Sequence, residues 1–226
     1  MTVFLVLLGV PQTLFGVKRS PYFFLAKIWA KISTMMFAVR LEVEGLEKIK
    51  PGKNYVFMGN HQSYVDIFTM LSILDKNFLF MAKKELFKIP FFGYAIKQMG
   101  LIPIHRGESR EALKSLFDAA KKIQEGYSVL LFPEGTRNNN QEMLPFKRGA
   151  FVLAARTGQE IAPFIIEGSG DALPKDSFRI RPFKKVRVRF LDPVNLDGMK
   201  DRDALPMIRE RMENAQKELR CSGAGK

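Results

Sequence analysis

The chain has 226 residues, 46% hydrophobic and 26% charged, enough for one folded domain with a substantial core. A single cysteine, Cys221, excludes an internal disulfide and a cysteine-rich metal cluster, and with only His61 and His105 a zinc site has little to draw on. Lys and Arg number 36 against 23 Asp and Glu, so the net charge of +13 points to an anionic partner: nucleic acid, a membrane surface or a phosphorylated small molecule.

Residues 1–40 carry Lys18, Arg19, Lys27, Lys31 and Arg40 and no acid. They also hold Trp29, the only tryptophan, with Phe4, Phe15, Tyr22, Phe23, Phe24 and Phe37. The first run, MTVFLVLLGVPQTLFGV, is apolar but is interrupted by Pro11 and Gln12 and falls short of the roughly 20 residues that cross a bilayer. It lacks the basic start and small-residue cleavage site of a signal peptide. The next segment, SPYFFLAKIWAKISTMMFAVR, reads as a helix with Leu25, Ile28, Trp29, Ile32, Met35, Met36 and Val39 on one stripe. Apolar stripe, aromatic residues and cations without acids describe an N-terminal helical arm that docks on a membrane surface. The alternative is a helix packed on the protein's own core.

From residue 41 onward, short strands alternate with helices. Strands are expected at 41–45, 54–59, 77–82, 101–104, 127–132, 161–167 and 184–191, and helices at 64–74, 90–98, 109–125, 149–157 and 202–219. The helix at 109–125 starts behind Ser109, stops at Gly126 and places Leu113, Leu116, Phe117, Ala120 and Ile123 on one face. Such alternation predicts an α/β domain over 41–226, a central mixed sheet flanked by helices. No repeat or internal linker breaks it, and the tail from about residue 221, ending in SGAGK, reads as disordered.

Four stretches carry candidate chemistry. NHQSYVD (60–66) sets His61 five positions before Asp66. Mid-helix, five positions leave two side chains about 140° apart, so the pair can meet only if His61 lies on a strand-to-helix turn and Asp66 in the first helical turn. Ser63 then serves as N-cap, and Asp66 gains a structural role at the positive end of the helix dipole, so local chemistry leaves catalytic pair and helix cap both open. LLFPEGTR (130–137) runs a strand into a turn in which Gly135 permits close backbone approach and Thr136 and Arg137 can donate to phosphate oxygens; the bland alternative is a solvated turn. GLIPIHRG (100–107) delivers Arg106 at a strand end, and LPFKRGAF (144–151) puts Lys147 and Arg148 before a helix start, a natural anion site. In open α/β sheets, ligands gather at such ends. KKVRVRF (184–190) alternates cations with Val186, Val188 and Phe190, reading as a half-buried strand whose charges touch anionic lipid or an acidic partner, or guard a sheet edge. There is no G-x-S-x-G elbow, no phosphate-binding G-x-x-x-x-G-K-[ST] loop and no G-x-G-x-x-G turn.

Taken together and in order, NHQSYVD, GLIPIHR, FPEGTR and the proline of IAPFII, Pro163, resemble the four motifs of the glycerolipid acyltransferase family. KKEL (83–86) and PFKRGAF are familiar neighbours, and Asn138 stands where many relatives carry serine. The resemblance is to 1-acyl-sn-glycerol-3-phosphate acyltransferases and covers roughly residues 25–200. It implies that His61 is the general base for the acceptor hydroxyl and that Asp66 holds its imidazole. It further implies that Arg106, Glu134, Gly135, Thr136 and Arg137 bind the acceptor's glycerol phosphate, with Lys147 as a helper and Pro163 shaping the pocket. Lysophosphatidic acid is then the acceptor, with glycerol 3-phosphate or another lysophospholipid as the alternative and a non-catalytic basic lipid-binding protein as the reading from another class. The donor is an acyl thioester, of coenzyme A or acyl carrier protein, with no bound cofactor or metal. A substrate that lives in the bilayer implies an enzyme on an anionic membrane surface, at the cytoplasmic face of the cell membrane, and no nucleic-acid module is present to suggest another partner.

Overall fold

Runs rich in valine, isoleucine and phenylalanine form seven strands of one sheet, and the amphipathic segments between them form helices on its two faces. The computed structural model describes residues 20–74, 78–104, 110–138, 142–177 and 179–223. In chain order, the elements begin with α1 (Ser20–Met36), β1 (Arg40–Glu44), β2 (Val56–Gly59), α2 (Val65–Ile73), β3 (Phe78–Lys83), α3 (Phe92–Gln98) and β4 (Ile102–Ile104). They continue with α4 (Arg110–Gln124), β5 (Ser128–Leu131), α5 (Gly149–Thr157), β6 (Ile161–Glu167), α6 (Ser169–Ala172), β7 (Lys185–Phe190) and α7 (Asp201–Gly223).

The strand order is β1-β7-β6-β2-β5-β3-β4. Strands β6, β2, β5, β3 and β4 run parallel, whereas β7 is antiparallel to β6 and carries β1 parallel to itself. The sheet is therefore mixed, as expected. Its central strands, VFMG, SVLL and IAPFII, are buried along their whole length, the pattern of a parallel sheet covered on both sides. The two-residue period divides the core. Val56, Met58, Val129, Leu131, Ile161 and Ile165 face one layer with residues of α4, α5 and α7. Tyr55, Phe57, Leu130, Ala162, Phe164 and Val188 face the other with residues of α1 and α2.

Three expectations change. The cationic strand β7 is not at an edge: it lies between β1 and β6. Two of its three cations are answered by carboxylates, Lys185 by Glu42 at 2.7 Å, and Arg189 by Glu44 at 2.7 Å and Glu218 at 2.9 Å, while Arg187 donates to Ser222 Oγ at 3.1 Å. Sequence alternation located the strand but not its neighbours. The last helix runs to Gly223, so the expected disordered tail from about 221 begins inside a helix; residues 224–226 lie outside the described residues, as do 1–19 of the arm. Finally, α1 is not separate from the domain. Phe23, Ala26, Ala30 and Ser33 form a buried face between the expected stripe and the cations. Trp29 and Phe37 meet Phe68 of α2 edge-on, at 4.6 and 5.9 Å between ring centroids. Much of the expected stripe turns outward: Ile32, Met35 and Met36 are exposed, and so is Phe24. One face packs on the core and another meets solvent.

Gly59 ends β2, paired with Phe164 of β6, and the next residues turn toward α2. A Cβ at Gly59 would stand 2.1 Å from the Phe164 ring, so only glycine lets that ring lie under the turn. Gly59→Ala should therefore lower unfolding free energy by about 1–3 kcal/mol, the usual cost of overpacking a closed core, as read by urea denaturation.

Candidate active site

Asn60 closes β2 against β6 in the way a strand residue would. Its amide donates to the Ile166 carbonyl and accepts from the Ile166 N–H, both at 2.8 Å. The turn that follows carries His61 out of the sheet, and α2 begins at Val65. Ser63 Oγ accepts from the Val65 N–H at 3.2 Å and donates to the Leu173 carbonyl at 2.7 Å, so it steadies the entry to the helix, although the N-cap position falls on Tyr64 rather than on the expected Ser63. Asp66, in the first turn, reaches back. Its Oδ2 accepts from the N–H groups of Gln62 (2.8 Å) and Ser63 (2.9 Å), the return half of a capping box. The same oxygen lies 2.7 Å from His61 Nδ1. Cap and catalytic geometry are thus one arrangement rather than alternatives. With Nδ1–H donating to the carboxylate, Nε2 is the basic nitrogen.

His61 is held on every other side as well. Its ring lies flat on Phe132, with 4.0 Å between centroids and 11° between planes. Its N–H donates to Glu134 Oε1 at 3.1 Å, and its carbonyl accepts from the Asn138 N–H at 2.7 Å. The turn after β5 thereby clamps the turn after β2, two adjacent strands of the sheet. Gln62, buried beside it, is tied to Glu167 at 3.3 Å and accepts from Ser169 Oγ at 3.3 Å.

In FPEGTR, Gly135 has φ +68°, the left-handed region that glycine enters without cost, and its missing side chain leaves room for the Lys147 stem. A Cβ there would be 2.9 Å from Lys147 Cε and Nζ, and the Lys147 N–H donates to the Pro133 carbonyl at 2.9 Å. Thr136 sits half-buried in the same turn. Arg137 lays its guanidinium on the ring of Tyr64, 3.9 Å from the centroid. Its Nη1 is buried without a hydrogen-bond partner among the described residues. A cation held by its face, with donors to spare, suits an arriving anion.

Glu134 departs from its expected part. It is 5% exposed, and both oxygens are engaged by the chain: Oε1 by His61, Oε2 by the Leu144 N–H at 3.0 Å and the Asn138 amide at 3.2 Å. It braces the site from beneath. Arg106 and His105 lie outside the described residues. Pro163 is buried inside β6 opposite Met58, one residue before the ring under Gly59.

A family model described as Acyltransferase matches residues 40–167. The chain belongs to the Acyltransferase family. The 1-acyl-sn-glycerol-3-phosphate acyltransferase LPAT1, chloroplastic, of Arabidopsis thaliana is 36% identical over 196 residues, 85% of this chain and 54% of that protein. The 1-acyl-sn-glycerol-3-phosphate acyltransferase alpha of Mus musculus is 32% identical over 194 residues, 84% of this chain and 68% of that protein. The crystal structure of the 1-acyl-sn-glycerophosphate (LPA) acyltransferase PlsC from Thermotoga maritima superposes with a TM-score of 0.79 at 27% identity, covering 89% of this chain and 81% of that one. The chain spans about half the length of the Arabidopsis relative. Against this Acyltransferase background, Tyr64, Phe132 and Asn138 are the site residues that motif reading did not supply. Tyr64 and Phe132 had a signal, each being an aromatic residue inside or beside a motif. Asn138 had only its position after FPEGTR.

The bracing role of Glu134 has a direct test. Glu134→Ala leaves the part-buried His61 and Leu144 N–H groups without their acceptor, so the protein should lose about 1–3 kcal/mol of stability in thermal or urea unfolding without any substrate present. A residue that only touched substrate would leave the unfolding curve unmoved.

Proposed function

We propose that this chain transfers a fatty acyl group from an acyl thioester to the 2-hydroxyl of 1-acyl-sn-glycerol 3-phosphate, giving phosphatidic acid. The observation that carries the reading is the 2.7 Å His61–Asp66 pair set beside a guanidinium with a buried, unpartnered donor. The names of the relatives from Arabidopsis thaliana, Mus musculus and Thermotoga maritima support the same acceptor.

His61 Nε2 takes the proton of the acceptor hydroxyl as its oxygen attacks the thioester carbonyl carbon. The C–S bond then breaks, and the imidazolium returns the proton to the departing thiolate. Asp66 and the flat face of Phe132 stabilise the transient imidazolium and hold its plane. Transfer is direct, as the resemblance implies, and the one aliphatic hydroxyl inside NHQSYVD, Ser63 Oγ, supports this by being fully buried and committed to Leu173 and Val65. Arg137 and Lys147, with Gly135 and Thr136 shaping the turn, receive the acceptor phosphate; Arg106 joins them on the resemblance of its motif. The thioester belongs to coenzyme A or acyl carrier protein. The acceptor is a bilayer lipid, and the exposed apolar face of α1, with Lys31 beside it, rests on an anionic membrane surface at the cytoplasmic face. Among the described residues no helix is long and apolar enough to cross a membrane.

Kinetics with each substrate varied in turn test the assignment. His61→Ala should lower turnover at least about 100-fold, with the far-ultraviolet circular dichroism unchanged. A residue carrying more than about a tenth of wild-type turnover after that substitution would not be the base.

Arg137→Ala should raise the acceptor KM roughly 10- to 150-fold, the worth of one charge-assisted bond, and leave the donor KM alone. Tyr64→Leu should move the same constant in the same direction by roughly 2- to 30-fold, and Tyr64→Phe, which keeps the stacking face, should restore it. A KM change confined to the donor would assign Arg137 to the thioester carrier instead.

A further inference from the structure

The functional reading does not use the segment Arg179–Lys184, RIRPFK, which precedes β7. Strand directions fix where it stands. Strands β2 and β6 run parallel, so Gly59 and Glu167 mark the end of the sheet at which His61 emerges. Because β7 is antiparallel to β6, its first residue, Lys185, and the loop before it stand at that same end. Because β1 is parallel to β7, the C-terminal end of α1 arrives there too.

Backbone hydrogen bonds tie the two together. The Phe183 N–H donates to the Ala38 carbonyl at 3.1 Å, and the Arg40 N–H donates to the Lys184 carbonyl at 2.9 Å. Both residues of the first bond have left-handed backbone, Ala38 at φ +49° and Phe183 at φ +60°. A bulky side chain there is rare and strained, and burial does not compensate it: Phe183 is 73% exposed. The strained turn brings Phe183 alongside the end of α1, where Met35 is 78% and Met36 69% exposed. Exposed cations accompany them: Arg179, Arg181 and Lys184 from the loop, Lys31 and Arg40 from α1 and β1. The chain carries no acid from Arg179 to Leu191, and among the described residues Lys185, which bonds Glu42, is the one loop-end cation with an ion-pair partner in this cluster.

We propose that the Arg179–Lys184 loop, locked to the end of α1, is a docking surface for an anionic phospholipid bilayer. Phe183, Met35 and Met36 enter the interfacial layer, and the cations meet lipid phosphates. Charge alone would fit an acidic protein equally well. The large apolar side chains at this end of the sheet favour the bilayer, as does the location of the proposed acceptor. The surface would thus orient the His61 end of the sheet toward the lipid. The proposal rests on the reading of a bilayer-resident acceptor, and the test separates the two.

The full chain is compared with Phe183→Asn and with Arg181→Gln/Lys184→Gln by sedimentation with phosphatidylcholine vesicles, with and without phosphatidylglycerol. Asparagine tolerates left-handed backbone, so Phe183→Asn removes the ring without adding strain. Phe183→Asn should weaken binding to both vesicle types about tenfold. The double variant should weaken binding to the anionic vesicles roughly 25-fold, about fivefold per cation, and barely affect the neutral ones. Matching unfolding midpoints exclude misfolding, and acylation of a short-chain, water-soluble lysophosphatidic acid should be unchanged in both. Vesicle binding equal to wild type in both variants would overturn the proposal. So would unaltered vesicle binding with lost dependence on an acidic donor such as acyl carrier protein, which would reassign the surface to that protein. Failure of the wild type to acylate the soluble acceptor would instead overturn the acyltransferase reading and leave the vesicle result standing.

Discussion

The site depends on one oxygen. Asp66 Oδ2 accepts the N–H groups of Gln62 and Ser63 and lies 2.7 Å from the imidazole of His61. Two backbone bonds fix where the carboxylate points before the ring arrives, so the imidazole is oriented by an acceptor that cannot itself swing. The same contacts stop the strand-to-helix turn from unwinding. A substitution at Asp66 would therefore disturb the helix start and the base together, which distinguishes this carboxylate from one held only by side chains. Because Oδ2 serves three donors, the five-residue spacing is a geometric requirement: one residue more or less would take either the ring or the cap out of reach.

Around that centre the protein holds His61 by groups of different chemistry. A carboxylate takes the ring nitrogen, an aromatic face takes the ring plane, and Glu134 and Asn138 take the backbone on either side. None of these occupies Nε2. The division is physically sensible for a base that must be rigid yet open at one atom. Arg137 follows a related plan. It is positioned through its π face by Tyr64, with no ion pair to a carboxylate among the described residues, so its charge is not already neutralised when an anion approaches.

The large positive charge divides into two uses. On β7, cations pair with Glu42, Glu44 and Glu218 and stabilise the junction of β1, β7 and α7, each exposed pair contributing only modestly. At the ends of strands and along the outer face of α1, cations stand beside exposed apolar residues or in the turn that carries Gly135 and Arg137. Net charge alone does not separate these uses; strand pairing does.

The sequence by itself determined much of this protein. Short apolar runs, with alternation in β7, located the seven strands, and the three-and-four spacing located the longer helices, because local burial pattern is written in local spacing. NHQSYVD and FPEGTR single out His61, Asp66, Gly135, Thr136 and Arg137, and the neighbouring PFKRGAF adds Lys147. Other features were decided by tertiary structure, since each depends on a partner distant in the chain. Strand order places β7 inside the sheet and lets Glu42 and Glu44 answer its cations. Glu134 becomes a brace only when the β5 turn lies against the β2 turn, 73 positions along the chain from His61. Tyr64 and Phe132 acquire roles only when Arg137 and His61 stack on them. The face of α1 that is buried was set by where Phe68 and Phe78 wait to receive it, and a helical wheel carries no information about that.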